Sequence, residues 1–263
     1  MIPYPDLDPV AFRLGPLAVR WYGLAYLAGF WAAHASVRRA ARRGRLPLAP
    51  EDADALLGAL VLGVVGGARL GYAVFYNLPH FAANPLRLFA LWEGGMSFHG
   101  GLAGAALGAW WFARGRGVSL LAAGDVLALA APLGLFFGRL ANFVNGELYG
   151  RVSSVPWAMV FPGAGPLPRH PSQLYEAFLE GPILWVLVWW AGRSPGSPQG
   201  LRCGAFVAGY GVLRFLVELT REPDAHLGLV LGGLSMGQVL SAAMVLAGGW
   251  LLWRARLAGT QGD

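Results

Sequence analysis

The sequence predicts an all-α, polytopic membrane protein with about seven transmembrane helices. Of its 263 residues, 56% are hydrophobic and only 13% are charged, whereas roughly 25% are charged in typical soluble domains. The mean hydropathy is +0.50, and several apolar stretches approach the roughly 20 residues that cross a bilayer. Because these stretches do not alternate polar and apolar residues, the pattern argues against a transmembrane β-barrel.

Seven apolar segments account for these helices. No Ser-rich or charged linker separates them into two domains, so we expect one integral membrane domain over residues 1–263. The predicted spans are about 16–35, 53–76, 96–113, 119–142, 172–191, 203–220 and 234–253.

Arginines in alternate loops predict the orientation of the chain, which contains no lysine. By the positive-inside rule these loops face the cytoplasm, so the N-terminus lies outside and the C-terminus inside. The net charge of +6 then describes loops beside anionic lipid and not a nucleic-acid surface. The segments near 77–95, 143–171 and 221–233 face outward. The arginines are Arg38, Arg39, Arg42, Arg43, Arg45, Arg114, Arg116, Arg193, Arg202, Arg254 and Arg256.

Small residues recur at four-residue intervals in spans two and three. Such stripes allow the backbones of two membrane helices to approach closely, so we expect these spans to pack together. The stripes consist of Ala59, Gly63, Gly67 and Gly71 in span two, and of Gly100, Gly104 and Gly108 in span three.

A polar cluster ends span four within the run from Gly138 to Arg151. Arg139, Asn142 and Asn145 follow at three-residue intervals and therefore project from one side of a helix. Glu147 follows the expected helix end and can reach back to an arginine. Because one charge at the bilayer centre costs roughly 2.5–3.5 kcal/mol even on mild scales, the cluster indicates either an internal salt-bridge network or a site for a charged ligand.

Span six carries a second polar stripe, since Tyr210, Arg214 and Glu218 follow at four-residue intervals on one helical face. Arg214 and Glu218 either neutralise one another or complete the site that span four begins. We expect Glu176 and Glu180 in span five to act at most as supporting partners.

Two further polar residues stand near the predicted outer surface. Arg69 in span two fits a structural arginine that hydrogen-bonds to its surroundings. His99 lies between two glycine pairs at the outer end of span three, where its imidazole can accept a proton near neutral pH. The histidines lack the spacing of metal ligands, so we expect neither a metal nor another cofactor.

Six segments resemble the bacterial prolipoprotein diacylglyceryl transferases. Their order along the whole chain makes the resemblance specific. The matching segments are Arg20–Leu24, Gly94–Gly101, Gly138–Arg151, Arg169–Glu176, Gly209–Glu218 and Ser235–Gln238.

The resemblance implies a reaction between two membrane-bound substrates. The diacylglyceryl group of phosphatidylglycerol passes to the lipobox cysteine thiol of a prolipoprotein signal peptide, forming a thioether and releasing glycerol phosphate. It also implies a multi-pass protein of the bacterial inner membrane, with seven spans, an external N-terminus and an active site towards the extracytoplasmic side.

The resemblance further implies a set of site residues. We expect Arg139 and Arg214 to bind the lipid phosphate, because guanidinium groups remain charged in an apolar site. His99 is the expected base for the thiol. Asn142, Asn145 and Glu147 then orient the head-group glycerol and Arg139, Gly150 belongs to the residues that bind the lipid, and two tyrosines donate hydrogen bonds. The expected essential set is Tyr22, His99, Arg139, Asn142, Glu147, Gly150, Tyr210, Arg214 and Glu218.

The stretch between Phe161 and Arg169 is shorter than in relatives that carry a longer external insert. We expect His170, which follows it, to shape this loop.

Two other function classes compete with the transferase. One is a transporter or channel that passes an anionic lipid or solute along the Arg139 and Arg214 cluster. Such proteins commonly contain inverted repeats, and the sequence shows no repeat of this kind. The other is a non-catalytic membrane scaffold that presents an external surface to lipoprotein precursors.

Overall fold

The computed structural model describes residues 2–5, 7–15, 17–46, 48–222 and 233–259. Residues 223–232, most of the third predicted external segment, lie outside the described residues. The chain forms two compact units, one of residues 1–46 and 124–263, the other of residues 47–123.

Helices occupy each of the seven predicted segments in the part of the chain that the structure describes. The fifth segment is a helix interrupted by a π-helical turn at Leu179–Ile183. The α-helices are α1 (Trp21–Arg42), α2 (Pro50–Tyr76), the short α3 (Leu78–Ala83), α4 (Phe98–Arg116), α5 (Leu120–Val144), α6 (Ser172–Phe178), α7 (Leu184–Ala191), α8 (Leu201–Glu218) and α9 (Met236–Gly259). Two 3₁₀ turns, Pro85–Phe89 and Leu91–Glu93, follow α3.

Three helices in the described ranges, α2, α5 and α9, are long and apolar enough to cross a membrane by length and composition. The protein is therefore a mostly helical membrane protein. The count of seven spans and the orientation of the termini stay predictions.

A β-hairpin precedes α1, where the sequence predicted that a helix would begin at about residue 16. Strands β1 (Val10–Leu14) and β2 (Leu17–Arg20) pair in antiparallel fashion. Gly15 adopts a φ of +59° between them, a conformation that glycine accepts without a steric penalty. The backbone of β2 is thereby hydrogen-bonded across the hairpin. The first helix starts only at Trp21, and the prediction of an all-α chain omitted this hairpin.

Within the unit of residues 47–123, α2 and α4 pack through their glycines, which confirms the close contact predicted from the sequence. A Cβ atom added to Gly71 would lie 2.8 Å from the Cα atom of Gly100, and one added to Gly108 would lie 2.7 Å from the carbonyl oxygen of Ala59. Real Cβ atoms do not approach so closely, so the two backbones touch.

Replacing Gly67 with alanine is expected to destabilise this unit, whereas replacing its neighbour Gly66 is not. A Cβ atom at Gly67 would lie 2.8 Å from the Cα atom of Gly104, but one at Gly66 meets nothing within 4 Å. Both changes gain the same helix propensity, so the difference isolates overpacking, which typically costs about 1–3 kcal/mol. Thermal unfolding of both variants measures it. Equal melting temperatures would contradict the tight α2–α4 contact.

Within the other unit, the π-helical turn widens the helix at Pro182, which lacks the backbone N–H of a regular helix. Gly181 departs from helical geometry there, with φ −94° and ψ −105°. A Cβ atom on Gly181 would lie 2.7 Å from the Cβ atom of Phe136 on α5. This close approach brings Glu180, which is fully buried, next to α5.

Candidate active site

The two arginines expected to bind a phosphate meet at one buried carboxylate. Arg139 lies near the end of α5, and Arg214 lies on α8. The Nη2 atom of Arg139 is 2.8 Å from Oε2 of Glu176, and Nη1 of Arg214 is 3.0 Å from the same oxygen. Glu176 on α6 therefore joins the polar ends of spans four and six.

Glu180 lies one helical turn beyond Glu176, beneath the same two arginines. Its Oε1 atom is 3.5 Å from Nη1 of Arg214, and its Oε2 atom is 3.9 Å from Nε of Arg139. These distances allow ion pairing but exceed hydrogen-bond length, and neither oxygen has a hydrogen-bond partner among the described residues. The fully buried Glu180 thus lies beside both guanidinium groups without fixing either of them geometrically.

Glu218 and Arg221 complete the cluster. Arg214 also donates to Oε1 of Glu218 through Nη2. Arg221 lies 2.8 Å from Oε1 of Glu176 through Nη1, and 3.4 Å from Oε1 of Glu218 through Nε. The charged cluster is defined here as Arg139, Arg214, Arg221, Glu176, Glu180 and Glu218.

The exposure of the charged cluster differs between its cations and its anions. The side chains of the three arginines are 16–20% exposed, whereas those of Glu176 and Glu180 are 0% exposed. The arginine side chains are therefore the more accessible members of the cluster, and Glu176 and Glu180 are buried behind them. An anion that approaches the arginines meets several fixed N–H donors, which match the oxygens of a phosphate.

Asn142, Asn145 and Glu147 form a separate hydrogen-bonded group where α5 ends. Both asparagines donate to Oε1 of Glu147 through Nδ2, at 2.9 Å and 3.3 Å. The expectation that Glu147 reaches back to an arginine was therefore wrong for the described residues. Arg139 already contacts Glu176, and the φ of +66° at Gly146 turns the chain so that Glu147 faces the two amides.

Two buried side chains at the start of α6 hydrogen-bond to the backbone of Glu147 and Leu148, which follows the end of α5. Gln173 donates to the carbonyl oxygen of Glu147 through Nε2 at 2.6 Å, and Ser172 donates to that of Leu148 through Oγ at 3.1 Å. Leu148 has a φ of +58°, which costs a non-glycine residue roughly 1–2 kcal/mol. The two buried contacts hold the turn in this strained form.

Gly150 has a packing role in the structure. Its N–H donates to the carbonyl oxygen of His170 at 2.9 Å, and it forms a β-bridge with Arg221. An added Cβ atom would lie 2.9 Å from Cβ of His170, so a larger residue does not fit. A contact between Gly150 and a lipid stays a prediction.

His170 shapes the loop before α6, as the sequence analysis expected. Its N–H donates to the carbonyl oxygen of Arg151 at 3.0 Å, and its Nδ1 atom lies 3.1 Å from the hydroxyl of Tyr175. Burial, with a smaller contribution from Arg151, lowers the pKa of His170 below its ordinary value. The neutral imidazole is thereby favoured in this loop.

Three more residues were expected in the site: Tyr210, Tyr22 and His99. Tyr210 stacks on Phe206, with ring centroids 5.9 Å apart, and interacts electrostatically with Glu180, Arg214 and Arg139. Tyr22 lies in the first turn of α1 and is exposed. His99 lies in the first turn of α4, in the other compact unit, and its side chain lies outside the described part of the chain.

Arg69 is a structural arginine, as its setting in the sequence indicated. It is 3% exposed and donates to backbone carbonyl groups of the segment between α3 and α4. Its Nη2 atom lies 2.7 Å from the oxygen of Arg87 and 2.9 Å from that of Ala90, while Nε lies 3.1 Å from that of Leu88. Arg69 therefore holds the segment before α4 in place through hydrogen bonds to its backbone.

Sequence reasoning underestimated Glu176 and Glu180 and missed Arg221. The two glutamates contact the arginines directly instead of supporting them from a distance. Two signals could have identified these residues: glutamates four residues apart on one face of an apolar span, and an arginine three residues after Glu218.

Comparisons with known proteins agree with the resemblance noted in the sequence. The family model described as prolipoprotein diacylglyceryl transferase matches residues 9–254. The chain is 54% identical over 245 residues to the phosphatidylglycerol–prolipoprotein diacylglyceryl transferase of Geobacter sulfurreducens, covering 93% of this chain and 94% of the relative. It is 52% identical over 262 residues to the enzyme of the same name from Brucella anthropi, covering 96% and 93%.

The matched range contains the charged cluster, the group at the end of α5, Tyr22 and His99. Both the match to the family model and the identity to the relatives extend over nearly the whole chain. The chain belongs to the prolipoprotein diacylglyceryl transferase family.

Proposed function

We propose that this protein transfers the diacylglyceryl group of phosphatidylglycerol to the lipobox cysteine of prolipoproteins. The observation that carries the proposal is the accessible arginine face of the charged cluster, supported by fully buried carboxylates. In a protein with apolar helices, this face suits the phosphate of a lipid head group. The names of the two relatives identify phosphatidylglycerol and a prolipoprotein as their substrates.

The chemistry assigns a role to each part of the site. The thiol of the peptide gives up its proton to a base, and its sulfur forms a bond to the glyceryl carbon. The bond from that carbon to the phosphate oxygen breaks, and the oxygen keeps the electron pair as glycerol phosphate leaves. Arg139 and Arg214 stabilise the charge that develops on the leaving phosphate, because their N–H groups are already in place.

His99 is the base that we propose for the thiol. A thiol with a pKa of about 8.5 is mostly protonated at neutral pH, and a histidine can take up its proton in that range. Asn142, Asn145 and Glu147 orient the head-group glycerol, while Tyr22 and Tyr210 donate hydrogen bonds. Gly150 keeps the adjoining backbone close to the site.

The topology of the protein is part of the same proposal. The chain forms one integral domain that crosses the bacterial inner membrane seven times, with its N-terminus outside. The active site then faces the extracytoplasmic side, where prolipoproteins emerge. Alternate loops rich in arginine support this orientation.

Purified protein mixed with phosphatidylglycerol and a lipobox peptide tests the activity. We expect the peptide to gain the mass of one diacylglyceryl group and an equal amount of glycerol phosphate to appear. A peptide with serine in place of the cysteine should remain unmodified. A transporter or channel would leave both peptides unmodified, which would contradict the proposal.

The same assay tests the assignment of the base. We expect His99→Gln to lower the transfer rate by about 10²- to 10⁴-fold, the range over which general bases contribute. A near-normal rate would move thiol activation to Glu147, Glu218 or an arginine-bound phosphate oxygen.

A further inference from the structure

The segment from Ser235 to Gln238, at the start of α9, has no part in the site as described so far. Ser235 is the residue just before the first turn of α9, and its Oγ atom accepts from the N–H of Gln238 at 3.2 Å. The side chain of Gln238 accepts in return from the N–H of Ser235 at 3.0 Å. This reciprocal pair is a capping box, which satisfies two free N–H groups at a helix start.

The hydroxyl of Ser235 also binds the charged cluster. It donates to Oε2 of Glu218 at 2.9 Å. Because a hydroxyl has one donor and two acceptor positions, it can cap the helix and bind the carboxylate at the same time. The other oxygen of Glu218, Oε1, accepts from Arg214 and pairs with Arg221. The two oxygens of Glu218 thus have different partners.

Gly237 makes room for this carboxylate in the first turn of α9. A Cβ atom added to Gly237 would lie 2.5 Å from Cδ and 2.6 Å from Oε1 of Glu218. No larger residue fits unless Glu218 moves. The start of a helix carries a partial positive charge that favours an adjacent anion, so α9 supports Glu218 in its charged form.

We infer that Ser235 and Gly237 are positioning residues that fix Glu218 and, through it, Arg214. Glu218 is 6% exposed and Ser235 is 4% exposed, so water has little access to replace their hydrogen bond. The start of α9 thereby sets the direction in which the guanidinium group of Arg214 points. The inference rests on the proposed function, because the effect of that direction is measured as transfer from phosphatidylglycerol.

Substitutions at Ser235 separate helix capping from the contact with Glu218. Threonine and glycine are comparable as residues before a helix, but only threonine retains the hydroxyl. We expect Ser235→Thr to transfer at nearly the wild-type rate and Ser235→Gly to show a kcat/KM about tenfold lower, the effect of losing one hydrogen bond to a charged group. Because the same buried hydrogen bond is lost, Ser235→Gly should also unfold at a lower temperature than Ser235→Thr, so the rates are compared well below both unfolding temperatures.

A glycine pair on α9 provides a second test. Gly237→Ala should displace Glu218 and lower transfer at least tenfold, whereas Gly249→Ala should not, because a Cβ atom at Gly249 meets nothing within 4 Å. Ser241→Ala serves as a further control, since among the described residues this buried hydroxyl donates to the carbonyl oxygen of Gly237 on its own helix.

The outcomes distinguish the two proposals. Wild-type protein that performs no transfer would contradict the proposed function and the inference with it. Active wild-type protein with equal rates for Ser235→Thr and Ser235→Gly would overturn the inference alone, as would a normal rate for Gly237→Ala.

Discussion

Replacing Arg139 with lysine is expected to lower diacylglyceryl transfer by about 10²- to 10³-fold, the usual cost of losing one preorganised donor to a developing negative charge. Lysine preserves the positive charge but not the planar fork of N–H groups. In the structure this fork contacts Glu176 at 2.8 Å, and the Arg139 side chain is 19% exposed. The measurement is kcat/KM for phosphatidylglycerol with a lipobox peptide.

Arg116→Lys is the matched control for this substitution. Arg116 pairs with Asp52, and its side chain is 55% exposed, so the exchange should change neither transfer nor stability appreciably. Near-normal transfer by Arg139→Lys would show that a point charge is sufficient at this position. The account of Arg139 as a geometrically fixed phosphate donor would then be wrong.

Replacing Glu176 with glutamine is expected to destabilise the protein and to reduce transfer. Glu176 is fully buried and contacts all three arginines of the charged cluster. Glutamine has nearly the same shape, but it removes the negative charge that these arginines share. Breaking a buried ion pair in this way costs about 3–5 kcal/mol. The free energy of unfolding, measured in detergent together with the transfer rate, checks the expectation.

Glu222→Gln provides the corresponding control at the surface. Glu222 pairs with Arg169, but its side chain is 55% exposed, and an exposed pair contributes about 0–1 kcal/mol. If Glu176→Gln were as stable and as active as Glu222→Gln, Glu176 would not hold the arginines in place.

The helices were predictable because their signals are local. Apolar stretches near membrane length identified the seven helical segments, and glycines at four-residue spacing identified the contact between α2 and α4. The hairpin before α1 was not predictable in the same way. Its residues are as apolar as those of a helix, and strand pairing around Gly15 depends on a partner segment that composition does not reveal.

The site was predictable to the extent that arginine is costly in an apolar span. This cost identified Arg139 and Arg214, and the structure places both against one carboxylate oxygen. The sequence did not reveal that Glu176 and Glu180 would contact them directly. That contact depends on how the π-helical turn at Pro182 packs against α5, which is a tertiary feature. The partners of Glu147 likewise depend on the turn at Gly146.

The carboxylates of the charged cluster explain how its three arginines can lie close together in the absence of a ligand. Three guanidinium groups in one site would repel each other, but the carboxylates of Glu176 and Glu218 pair with them and offset this repulsion. Because the buried Glu176 contacts all three arginines, it can orient their guanidinium groups without blocking the exposed face. In the proposed function the phosphate would bind to an arrangement that is already formed, which reduces the reorganisation needed during the reaction.

A structure with a bound, non-cleavable phosphatidylglycerol analogue tests whether Arg139 and Arg214 bind the lipid phosphate. Replacing the oxygen between the glyceryl carbon and the phosphorus with a methylene group leaves no bond for the reaction to break. We expect phosphate oxygens at about 2.7–2.9 Å from guanidinium nitrogens of both Arg139 and Arg214. A head group bound elsewhere, with the two arginines still contacting only glutamates, would contradict this expectation.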